Sequence, residues 1–107
     1  NRRIRVSKKV ELEDCLFGTN HEGAIHSKLN LRYTGCAALD LAYVACGRLD
    51  GYFHNKINIW DVAAGVLIIK EAGGKVNEIN KFDINNIDIR ASNSDIHNKM
   101  LKNLNNF

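Results

Sequence analysis

Apolar positions recur along this chain at helical and at alternating spacings, and each predicts a kind of element. Residues 59–74 run Ile-Trp-Asp-Val-Ala-Ala-Gly-Val-Leu-Ile-Ile-Lys-Glu-Ala-Gly-Gly, an almost unbroken apolar stretch between one carboxylate and two glycines. This predicts a helix, with Asp61 near its N-terminal end, where a carboxylate meets open backbone amides and the positive end of the dipole. Gly73 and Gly74 supply the stop. The apolar side chains run nearly all the way round, so the helix is expected to be covered on most sides. Ala63, Ala64 and Gly65 keep its first turn thin enough for a backbone or a ligand to come close. A second helix opens at Thr34 or Gly35, aligns Ala37, Leu41 and Ala45 with Ala38 and Ala42 beside them, and closes at Gly47. A third, capped by Ser94 or Asp95, carries Ile96, Met100 and Leu104 on one face.

Between these lie alternating stretches. Residues 3–7 read as a strand, 12–19 as a short turn or helical start running into a strand at 15–18, and 51–53 as a short strand. Residues 75–79 and 87–91 alternate as strands on either side of an Asn-rich turn at 81–86, while 19–31 reads as loop with one helical turn. Strands interleaved with helices of this length predict an α/β fold, a layered sandwich of one domain over residues 1–107.

Composition narrows the classes. The net charge of +3 on 107 residues is too small and too scattered for a nucleic-acid or membrane partner. The one basic cluster, Arg2, Arg3, Arg5, Lys8 and Lys9, fits a solvated strand edge, with a phosphate-binding patch as the alternative. No apolar run approaches the length of a bilayer span. Three cysteines cannot all pair, which favours a reducing, cytoplasmic setting. Cys36 and Cys46 stand about 15 Å apart if both lie on one helix, too far for a disulfide. With no initiator Met and a first segment that reads as mid-strand, the chain is expected to be a piece of a longer protein. Its Asn, Ile and Lys content, with no Pro, hints at a bacterial source.

Familiar catalytic spacings are absent. The four histidines form no metal-ligand pattern, and no glycine-rich nucleotide loop is present. Taken alone, Asp61 is a helix cap or a metal ligand, and Trp60 is an anchor for the helix, with stacking on a ligand as the alternative. Gly35, Cys36 and Ala37 open a helix, so their amides would be free to meet an anion or a hydroxyl, or would simply form a tight start. His54 alone reads as surface decoration.

Trp60-Asp61-x-Ala63-Ala64-Gly65, with Glu71-Ala72-Gly73-Gly74 after it, resembles the C-terminal signature of the inositol monophosphatase family. Arg32-x-x-Gly35-Cys36-Ala37-Ala38-Leu39-Asp40, Gly47-Arg48-Leu49-Asp50-Gly51-Tyr52-Phe53 and Ala91-Ser92-Asn93 stand in that family's order. The resemblance implies the C-terminal part of a Mg²⁺-dependent phosphatase acting on inositol monophosphate or a related small phosphate monoester. It makes Asp61 a magnesium ligand and sets the Gly35, Cys36 and Ala37 amides against substrate hydroxyls. His54, seven residues before Asp61, stands where the family usually has a Glu that contacts the sugar-alcohol ring. The resemblance also implies a metal-binding N-terminal domain missing from this chain, and a homodimer of the full-length protein. The segment from Asn20 to Leu31 looks short for the helix the family places there. Together with His54, this keeps open a degenerate relative that serves as a protein-interaction module.

Overall fold

A computed structural model describes residues 4–20, 28–79 and 85–104. Among them a 3₁₀ turn, Leu12–Asp14, leads into β1 (Leu16–Thr19), followed by β2 (Asn30–Arg32), α1 (Ala37–Ala45), β3 (Gly51–Ile57), α2 (Ile59–Glu71), β4 (Lys75–Val76), β5 (Ile87–Ser92) and α3 (His97–Asn103). The strands form one mixed sheet in the order β2-β1-β3-β5-β4. β1 runs parallel to β2 and β3, whereas β5 runs antiparallel to β3 and β4. Alternation along the strands divides the core between the two faces. Tyr52, Ile87, Ile89 and Ala91 pack with Leu41, Val44, Val62 and Ile69 of α1 and α2, while Phe17 and Phe53 pack with Ile96, Met100 and Leu104 on the α3 side. The result is the expected layered α/β sandwich: two helices, a sheet, one helix.

Gly65 allows α1 and α2 to pack closely, because a Cβ there would lie 2.6 Å from the Cβ of Leu41. Gly73 ends α2 at φ +94°, and the Gly74 amide then donates to the Ile69 carbonyl at 2.9 Å, closing the last turn as a Schellman-type stop.

The structure corrects several expectations. Residues 4–7, the described part of the strand expected at 3–7, form no strand; the Val6 amide donates to the Ala72 carbonyl at the end of α2, so Val6 is tied to a helix terminus. Lys9 pairs with Asp50, and Arg2 and Arg3 lie outside the described residues. Residues 30–32, expected in a loop, form β2, and the strand expected at 51–53 continues to Ile57. The strand expected at 75–79 pairs only over Lys75–Val76. The region of the shortened segment and of the Asn-rich turn falls largely outside the described residues. α2 is not covered all round: Val62 and Ile69 are its buried residues, whereas Leu67 is 59% exposed. Ala38 and Ala42 of α1 are exposed as well. Asp61 is not the N-cap, a position held by Asn58; it lies in the first turn. The last helix is capped from farther back, by Asn93, whose Oδ1 accepts from the Ile96 amide at 2.9 Å.

Candidate functional site

β1 and β3 are parallel, so their carboxyl ends point the same way, toward the N-terminal ends of α1 and α2. Open α/β sheets place ligand crevices at such ends. Here lies an open cleft of about 570 Å³. Asn20, just past β1, forms one side, and Gly35, Cys36, Ala37 and Ala38 form the start of α1. His54 and Ile57 come from β3, Trp60 and Asp61 from α2. All five residues singled out from sequence, Gly35, Cys36, Ala37, His54 and Asp61, line this one cleft.

A β-bulge makes the arrangement possible. His54 pairs with Ile89 and Ile57 with Ile87, so Asn55 and Lys56 stand opposite Asp88 alone. Lys56 takes the extra step at φ +58°. Strand side chains alternate faces, and an extra residue reverses the alternation. Ile57 therefore returns to the face of Tyr52 instead of pointing to the α3 side, and the chain enters α2 on the cleft side.

Asp61 is exposed, and among the described residues no side chain is bonded to its carboxylate. Its amide donates to the Asn58 carbonyl at 3.1 Å, as a first-turn residue should. Trp60 does not anchor the helix: it is 77% exposed and forms a wall of the cleft.

The start of α1 differs from the expectation of free amides. The Gly35 amide donates to Asn20 Oδ1 at 3.1 Å, and the Cys36 amide to Thr34 Oγ1 at 3.2 Å. Thr34 is in turn held by Asp40, whose Oδ1 accepts from Thr34 Oγ1 at 2.8 Å. Asp40 is fully buried, and its Oδ2 has no hydrogen-bond partner among the described residues. Burial raises its pKa, with the Thr34 hydrogen bond pulling the other way. Asn20 also reaches Tyr52, donating to its hydroxyl at 3.4 Å. Burial, reinforced by Asp40, pushes the Tyr52 phenol up to about 12. Sequence reasoning missed Asn20, Thr34 and Asp40 as parts of the site. Asp40 stood inside the quoted motif, so a buried acid four residues into a helix was the available signal.

A magnesium site takes hard oxygen donors, and the Asp61 carboxylate is one. Among the described residues no group of three or more His, Cys, Asp or Glu side chains could hold a metal ion. The donor chemistry of Asp61 fits one ligand of such a site. The cysteines are no alternative: all three are free, Cys36 and Cys46 exposed, and Cys15 buried with its thiol pushed up to about 11, mainly by burial.

Comparison with known proteins places this geometry. The chain is 39% identical over 119 residues to the putative Nus factor SuhB of Neisseria meningitidis serogroup B, covering 95% of this chain and 46% of that protein. It is 36% identical over 121 residues to the inositol-1-monophosphatase of Caulobacter vibrioides, covering 96% of this chain and 47% of that one. Among solved structures, an inositol monophosphatase from Anabaena superposes with a TM-score of 0.83 at 38% identity, over 94% of this chain and 49% of the other. An IMPase of Thermotoga maritima gives 0.85 at 37% identity, over 97% and 45%. The chain thus spans somewhat less than half the length of the relatives it matches. The model of the inositol monophosphatase family matches residues 1–106, and with these identities it shows that the chain belongs to that family.

Proposed function

We propose that the chain is the C-terminal part of a Mg²⁺-dependent, cytoplasmic bacterial phosphatase that hydrolyses inositol monophosphate or a related small phosphate monoester. The observation that carries this reading is the exposed Asp61 carboxylate at the mouth of a cleft shared with His54 and the start of α1. A cap would be spent on its helix; Asp61 is not the cap. In this reading Asp61 holds a magnesium ion together with ligands of the N-terminal part of the full-length protein. Bound there, magnesium supplies polarisation of the phosphate, a water of lowered pKa and charge stabilisation on the leaving oxygen.

The chain's own residues shape the rest. His54 faces the non-phosphate end of the substrate, where a neutral imidazole offers one donor and one acceptor. Gly35 and Cys36, with their amides held by Asn20 and Thr34, act as a fixed edge, and Ala37 follows as the first residue of α1. Trp60 walls the cleft. A second reading has a specific support: several relatives carry the name Nus factor, which fits a protein-interaction role for this family member. A homodimer of the full-length protein accords with either.

Phosphate release by the full-length protein tests the proposal. Turnover of inositol monophosphate that requires Mg²⁺ and stops with a chelator is expected, with none from the isolated 107-residue chain. No turnover of any small phosphomonoester at saturating Mg²⁺ would overturn it and favour the interaction reading.

A further inference from the structure

The β3 bulge is fastened from β5, and we infer that Arg90 is a positioning residue for the cleft, clamping the bulge so that His54 and the start of α2 face each other at a set spacing. Arg90 Nη1 donates to the His54 carbonyl at 3.2 Å and to the Ile89 carbonyl at 2.9 Å, while Nη2 donates to Asn55 Oδ1 at 2.6 Å. One guanidinium thus holds the last residue before the bulge and the first residue within it. Its planar fork of five donors suits this, and an ammonium would reach fewer acceptors at fixed angles. Asp88 completes the fastening: its Oδ1 accepts from the amide of Lys56, the residue at φ +58°.

The clamp matters because of what lies on either side of it. Ile57 returns to the cleft face only if the extra residue stays between His54 and Ile57. α2 begins two residues later, and with it Asp61. A shift of the bulge therefore moves His54 relative to Asp61, although Arg90 is not one of the residues lining the cleft. Arg90 is partly buried, which lowers its pKa, and Asp88 nearby favours its charge. Bulges beside active sites commonly aim a side chain in this manner.

For its kinetic part the inference rests on the phosphatase reading of the cleft; its structural part does not. The test uses the full-length protein with Arg90→Gln and, separately, Asn55→Ala, which removes one clamped acceptor and leaves the guanidinium in place. The imidazole resonances of His54 and His97 are followed by NMR. His97 is buried on α3, with Nδ1 2.8 Å from Ser92 Oγ, and reports general disturbance of β5. Both variants are expected to shift the His54 signals and leave those of His97 in place. With inositol monophosphate, kcat/KM should fall about tenfold in Arg90→Gln, since small misplacements of binding groups have effects of this size or larger. That loss should largely vanish when His54 is already Ala. Unchanged His54 signals, or His54 and His97 moving together, would overturn the inference, and if Arg90→Gln does not fold then Asn55→Ala decides by the same signals. Absence of turnover in the unsubstituted protein would instead overturn the phosphatase reading, and the resonance shifts would still decide the role of Arg90.

Discussion

The two ends of β3 each carry an aspartate and use it in opposite ways. Before the strand, Asp50 is 1% exposed and saturated: it accepts from Ser7 Oγ at 2.5 Å, from the Leu16 amide at 2.7 Å and from Lys9 at 3.3 Å. Asn93 joins the same junction, donating from Nδ2 to Ser7 Oγ and to the Lys9 carbonyl. Beyond the strand, Asp61 is exposed and no side chain among the described residues bonds its carboxylate. A buried, ionised carboxylate is costly unless its lone pairs are met, and those of Asp50 are met by the fold, so Asp50 serves the fold. An exposed one is left with ligand capacity.

The sharpest way to break this comparison is Asp61→Asn in the full-length protein. Asn keeps the shape and removes the charge a hard cation needs, so turnover should fall by about 100-fold or more with the melting temperature nearly unchanged. Activity equal to the unsubstituted protein at ordinary Mg²⁺ would leave Asp61 as a mere first-turn acid. Asp50→Ala should do the reverse. It strands the Leu16 amide and the Ser7 hydroxyl, and about 3 kcal/mol of stability should be lost in denaturant titration. A loss confined to activity would contradict its structural assignment.

Asp40 sharpens the contrast, being buried like Asp50 but only half satisfied. Burial raises its folded pKa above the ordinary carboxylate value of about 3.8. The protonated form is therefore favoured in the fold, and that contribution is fully present below the unfolded pKa. It is lost as pH climbs from about 3.8 through the raised folded value. Relative to Asp40→Asn, which cannot ionise, the unsubstituted protein should lose ground across that window. Thermal melts of the two proteins over a pH series check this, and a constant gap would refute it. The smallest effect expected is for His54→Glu near pH 8: a several-fold rise in kcat/KM for inositol monophosphate and little change for glycerol phosphate. Equal changes for both esters would remove His54 from substrate contact.

Much of the cleft was legible because its residues belong to compact motifs. Gly35, Cys36 and Ala37 sit at a helix start and Asp61 at another, and local sequence marks such starts well. Asn20 and Arg90 were not legible as site residues. Their roles are contacts to other segments, with Asn20 reaching Gly35 and Arg90 reaching His54. Trp60 was misread for a related reason: an aromatic beside a helix start can pack or project, and only the neighbours decide.

By itself, the sequence determined the three helices, the glycine stop after α2, the α/β class and the family, since periodicity and motif spacing are properties of contiguous residues. Tertiary structure alone decided three further things. It tied Val6 to a helix terminus instead of the sheet, left the outer side of α2 exposed, and placed a bulge that returns Ile57 to the cleft. Each depends on which partner a backbone group or side chain finds across the fold, and such pairings are settled by the competition of distant segments for the same hydrogen bonds and the same apolar surface.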